Sequence, residues 1–84
     1  MSYTPGFTPD ARLQFRSLAF IYQELVLDEL DRLALNPPAD LESVEEVVLN
    51  EPGLRRYLFI HVATDHARRT VTVLGVGYVE RRLT

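Results

Sequence analysis

The sequence predicts an α+β domain in which a helical hairpin, or one long helix, packs on a small antiparallel β-sheet. Three observations carry this expectation. The stretch Ala11 to Leu35 has neither Gly nor Pro and repeats apolar residues at helical spacing. The later stretches Arg55 to Ala63 and Thr70 to Val79 are dense in β-branched and aromatic residues. Turn-forming residues separate these segments. Helices followed by a run of strands make a layered α+β arrangement.

Residues 2–7 read as a short first strand, which Pro5 would confine to a sheet edge. Thr8-Pro9-Asp10 is a helix start: Thr8 can cap, Pro9 suits the first turn, and Asp10 complements the positive end of the dipole. Phe15, Leu18, Tyr22, Leu25, Leu30 and Leu33 then mark an apolar face. One unbroken helix here would be roughly 38 Å long at about 1.5 Å per residue. A break near Ser17–Phe20 would make a hairpin instead, and both forms fit the pattern. Asn36-Pro37-Pro38 ends the helical region.

Val44 to Leu49 reads equally as a strand or a helical turn. Asn50-Glu51-Pro52-Gly53 is a turn signal. The strand at Arg55 to Ala63 and the strand at Thr70 to Val79 should pair as an antiparallel hairpin across the polar turn at 64–68. Gly75 and Gly77 in the last strand imply a bend or a close backbone approach.

Composition narrows the function classes. The 84 residues fit one domain, 1–84, and 46% hydrophobic content supplies one core. With no cysteine, a disulfide framework is excluded, as is a cysteine-based zinc site. The N-terminus lacks the pattern of a signal peptide, and no apolar run approaches a membrane span, so the expectation is a soluble, cytoplasmic protein. No P-loop, dinucleotide fingerprint or HExxH motif occurs, so neither cofactor nor metal is expected. The net charge is −3, which disfavours nucleic-acid binding, since that affinity comes largely from neutralised phosphates. The charge is nonetheless segregated: acids crowd residues 24–51, while Arg55, Arg56, Arg68, Arg69, Arg81 and Arg82 follow, and every basic residue is Arg. A local arginine surface fits an acidic chain of this kind.

Several segments together resemble the RelE/ParE toxin–antitoxin superfamily. Thr8-Pro9-Asp10-Ala11 is similar to its "S-P-x-A" helix start. Leu30-Asp31-Arg32-Leu33-Ala34-Leu35-Asn36-Pro37 is similar to its "L-x-x-L-x-x-N-P" helix end. Arg69 to Gly77 resembles the strand before its C-terminal basic motif. The resemblance covers nearly the whole chain and implies a break near Leu18–Phe20, with Val44–Leu49 as a central strand. It also implies one of two activities: cleavage of messenger RNA on the ribosome, or poisoning of DNA gyrase. Either would be neutralised by a cognate antitoxin wrapped on the toxin surface.

The chain departs from the nuclease branch. With Tyr57 on the family's strand Tyr, Leu58 occupies the place of the catalytic Arg. After Gly77 the first basic positions are held by Tyr78 and Val79, and the family's terminal Tyr is absent up to Thr84. No catalytic role passes to Leu58 or Val79.

Strand alternation puts Arg55, Tyr57, Phe59 and His61 on one face and Leu58, Ile60 and Val62 on the other. The candidate catalytic residues are therefore Arg55, His61 and Arg81, set against the plainer reading of solvated surface groups. Arg56, Tyr78 and Arg82 are candidate binding residues; the plainer readings are an ordinary strand residue for Tyr78 and a frayed, soluble C-terminal tail for Arg81 and Arg82. His66, Arg68 and Arg69 read as surface groups of a turn. The expected function is a toxin that binds a protein target, gyrase in the first instance. The alternatives are a ribosome-dependent endoribonuclease with an altered site, whose arginines should converge on one concave face, and a non-toxic binding module of the same fold. A homodimer through the helices or a sheet edge is compatible with all three.

Overall fold

A computed structural model describes residues 2–82. The element order is β1 (Thr4–Phe7), α1 (Pro9–Ser17), α2 (Phe20–Leu35), β2 (Glu42–Glu51), β3 (Leu54–Asp65) and β4 (Thr70–Arg82). The strands form one sheet in the order β1-β4-β3-β2, and two helices pack on one of its faces.

The helical region is a hairpin. Thr8 caps α1, its Oγ1 accepting the Ala11 amide at 3.1 Å, with Pro9 following as expected. Leu18 and Ala19 are both extended (ψ 150° and 149°), which separates α1 from α2. Two things stabilise that break. Leu18 turns into the core, and the Gln23 amide donates to the carbonyls of Leu18 at 3.0 Å and Arg16 at 3.3 Å. The last carbonyls of α1 thus find a partner that continuing the helix would otherwise supply.

The sheet is mixed, which corrects the expectation of a purely antiparallel one. β1 runs parallel to β4, from Thr4 opposite Thr70 to Phe7 opposite Val73. The rest of the chain lies between these two strands, so no hairpin dictates their direction. The segment expected as a central strand is also corrected: β2 is an edge. With β1 docked on β4, the centre falls to β3 and β4. β2 shows what an edge tolerates, since Glu42, Val44, Glu46, Val48 and Asn50 are exposed in strict alternation. A third correction concerns Arg81 and Arg82, which belong to β4 rather than to a tail beyond it.

The core joins Ala11, Leu18, Tyr22, Val26, Leu30 and Leu33 of the helical layer to Leu58, Ile60, Val62, Val71 and Val73 of the sheet. The alternation read from Arg55 to Ala63 therefore has the expected polarity. Arg32 of α2 hydrogen-bonds Glu29 and reaches Glu45 of β2 at 3.7 Å, tying the helix to the edge strand. The hydrogen bond to Glu29, with that carboxylate's charge, holds the Arg32 guanidinium above its usual pKa. The β2–β3 turn is Pro52-Gly53, and Gly53 adopts φ 75°, which the pair accommodates without strain. Among the described residues no helix is long and apolar enough to cross a membrane.

Candidate functional site: the open face of the sheet

The helices leave the second face of the sheet uncovered. Antiparallel register arranges its side chains in rows across β2, β3 and β4: Val44, His61 and Gly75; Glu46, Phe59 and Gly77; Val48, Tyr57 and Val79; Asn50, Arg55 and Arg81. Tyr57 and Phe59 stack along β3 with ring centroids 6.4 Å apart. Gly75 and Gly77 carry no side chain, so β4 is bare beside Phe59, and a Cβ at Gly77 would meet nothing within 4 Å.

Two shallow depressions result, one on either side of Phe59. The first is bounded by Glu46, Tyr57, Val79 and Arg81. The second is bounded by Gln14, Val44, His61 and the two glycines. A register shift between His61 and Val62 bends the sheet here, with Gly75 opposite His61 and Val73 opposite Val62. Gly75 also makes the close approach expected of it: a Cβ there would lie 3.3 Å from Gln14 Oε1.

The electrostatics are uneven. Arg55 and Arg81 stand directly opposite each other at one end, where Arg55 Nε donates to Asn50 Oδ1 at 2.9 Å. His61 lies six positions along β3, roughly 20 Å away at about 3.3 Å per residue. Its Nε2 is 3.7 Å from Glu42 Oε2. The candidate catalytic residues Arg55, His61 and Arg81 thus share a face, but His61 and the arginine pair cannot meet at one reacting atom.

The candidate binding residues Arg56, Tyr78 and Arg82 lie on the opposite, helix-bearing side. Tyr78 packs on Tyr22 of α2 with centroids 5.4 Å apart. Arg56 lies 5.9 Å from the Tyr22 ring centroid and pairs with Glu80 at 3.1 Å. Arg82 stands opposite Leu54 at the strand end. The six candidates therefore divide between two faces. Leu58 points into the core and is 1% exposed, so it does not belong to the open face. In the turn, Tyr3 Oη and His66 Nδ1 are 2.8 Å apart, and Arg68 is 4.0 Å from Asp65.

Val44, Glu46, Val48, Val79 and Gln14 were not anticipated as site residues. For the β2 positions the signal was present as a period-two pattern, but the helix-or-strand ambiguity hid it. Gln14 comes from α1 and offered no signal.

No protein-family model matches the sequence, and no curated protein matches it. Solved structures do match in fold. A mutant of the E. coli toxin RelE in the free state superposes with a TM-score of 0.68 at 19% identity, over 92% of this chain and 83% of that one. The toxin–antitoxin complex RelBE2 of Mycobacterium tuberculosis contains a match with a TM-score of 0.67 at 20% identity, covering 94% and 93%. The archaeal RelE–RelB complex of Pyrococcus horikoshii gives 0.62 at 16% identity, covering 90% and 93%. Two helices packed on a four-stranded mixed sheet is the architecture shared with them, and the chain has the RelE toxin fold.

Proposed function

We propose that this chain is the toxin component of a type II toxin–antitoxin system, acting in the cytoplasm by binding a protein target through its open sheet face. DNA gyrase is the first candidate target. A cognate antitoxin would neutralise it, as the RelE–RelB assemblies of the structural neighbours suggest by analogy. The observation that carries the binding reading is the spacing on the open face. Val44, Val48, Tyr57, Phe59 and Val79 make an apolar and aromatic floor with two arginines at one end. Such a floor suits a protein contact, since aromatic and Arg side chains are the commonest anchors of protein interfaces. Proton transfer, in contrast, needs groups within hydrogen-bond reach of one another's substrate atom.

The second reading is a ribosome-dependent endoribonuclease. It is favoured by the stacked Tyr57 and Phe59, since aromatic rings beside arginines hold single-stranded bases. Induced expression without antitoxin separates the two. Growth arrest with altered plasmid supercoiling and intact messenger RNA supports the first. Arrest with RNA cut in translated regions supports the second. Normal growth with folded protein present would leave a non-toxic binding module.

A further inference from the structure

The outer surface of the helical layer carries more apolar area than a solvated face requires. Leu13 of α1 and Phe20 and Ile21 of α2 are 65%, 73% and 63% exposed. Leu27 is exposed two turns beyond Phe20 on the same side of α2. Apolar residues scattered singly over a surface need no explanation, but this many on one layer mark a contact.

Charge on the layer is divided between the two helices. α1 presents Arg12 and Arg16, one turn apart, on one flank of Leu13, while Asp10 projects from the other flank. α2 presents Glu24, Asp28 and Asp31 in the exposed ridge that Phe20 begins and Leu35 ends. Carboxylates spaced three and four residues apart on a helix repel one another. Among the described residues, none of these acids and neither arginine forms an ion pair. The basic helix and the acidic helix of one chain therefore do not neutralise each other.

A second copy can neutralise both. In a twofold dimer, a contact from α1 of one copy to α2 of the other is repeated in the opposite direction. Stacking α2 on α2 would set carboxylate against carboxylate, and stacking α1 on α1 would set guanidinium against guanidinium. Only the crossed arrangement opposes unlike charges. Its spacing also matches, because the two arginines and the first two carboxylates are each four residues apart.

We infer that two copies of this chain associate through their helical layers, α1 of each lying on α2 of its partner. Arg12 and Arg16 face Glu24 and Asp28 of the partner subunit, and Leu13, Phe20, Ile21 and Leu27 make the apolar centre. An apolar centre with a charged rim is the usual anatomy of a protein interface. The helices cover one face of the sheet, so the open faces of both copies point away from this contact. The dimer keeps both free and presents them as a bivalent pair. The inference goes beyond the proposed function and does not require toxicity.

The test is sedimentation equilibrium on the whole chain, with amide hydrogen exchange mapping the contact. The expected result is a dimer that weakens as salt rises, with protection gained on α1 and α2. Arg16→Glu should weaken dimerisation about tenfold, and so should Asp28→Arg. Combining the two in one chain should restore it, because every crossed contact again joins unlike charges. Both positions are exposed, so circular dichroism should show each variant folded. A chain that stays monomeric up to about 1 mM would overturn the inference. So would protection confined to the sheet, no recovery in the double variant, or protection of the helices only when a different protein is added. A dimer with normal growth on expression would support this inference and defeat the toxin reading.

Discussion

The Gln14 side-chain carbonyl accepts the backbone N–H of Val76 at 3.0 Å, serving the outer edge of β4 just beyond the point where β1 ends. β1 last pairs at Phe7 with Val73, and Thr8 N–H still donates to the Val73 carbonyl at 3.0 Å. Beyond that no strand among the described residues lies on this side, and α1 supplies a side chain in its place. Replacing Gln14 by Ala should cost about 1 kcal/mol, the usual net value of one such hydrogen bond, read as a lower urea midpoint at unchanged slope.

Gly75 is coupled to the same residue. Its added Cβ would sit 3.3 Å from Gln14 Oε1, so Gly75→Ala forces the amide to move and weakens the Val76 bond. The substitution should destabilise the natural chain by about 1 kcal/mol. In the Gln14→Ala background it should be neutral or stabilising, because Gly in a strand interior costs conformational entropy. Additive effects in a double-mutant cycle would show that the contact does not limit this position.

Thr8→Ala removes the side-chain cap of α1, a bond that the start of α2 lacks. About 1 kcal/mol of stability should go with it, and Thr8→Ser should retain most of that. Thermal unfolding followed by circular dichroism measures both.

Much of this fold could be read from residue types alone. Thr8-Pro9 marked α1, Asn36-Pro37-Pro38 marked the end of α2, and the alternation from Arg55 to Ala63 separated Leu58, Ile60 and Val62 from Tyr57, Phe59 and His61. The gaps share a physical cause: they depend on contacts distant in sequence. The break at Leu18 relies on Gln23 reaching back, and the parallel direction of β1 relies on β4, more than sixty residues on. The site was less legible than the fold. Arg55 and Arg56 are adjacent in sequence, yet alternation sends them to opposite faces, and only pairing with Arg81 and Glu80 shows what each one meets.

Leu58 sharpens that point. The resemblance sets it at a catalytic arginine's position, but it is 1% exposed and packed with Ile60 and Val62 against the helices. Leu58→Arg should therefore abolish folding rather than install nuclease activity, since an unpaired buried charge costs several kcal/mol. Leu58→Ala should cost roughly 2–5 kcal/mol. A folded, RNA-cleaving Leu58→Arg protein would place this strand in a different register.

Arg55 and Arg81 provide the most direct test of a binding role for the open face. Their Cα positions are partners across β3 and β4, and like charges so placed destabilise the pair by roughly 0.2–1 kcal/mol. Asn50 offers Arg55 a hydrogen bond but no opposite charge. If the pair were merely solvated surface, replacing either member by Gln would raise stability slightly and change nothing else. A negatively charged surface of a target protein engages both guanidiniums at once and relieves the repulsion. Arg81→Gln should thus raise the melting temperature by a degree or more while reducing growth arrest on induction. Arg81→Lys should restore charge but only part of the effect, because an ammonium lacks the planar fork. Higher stability with undiminished arrest would remove the pair from the target contact and leave Tyr57, Phe59 and Val79 as its remaining anchors.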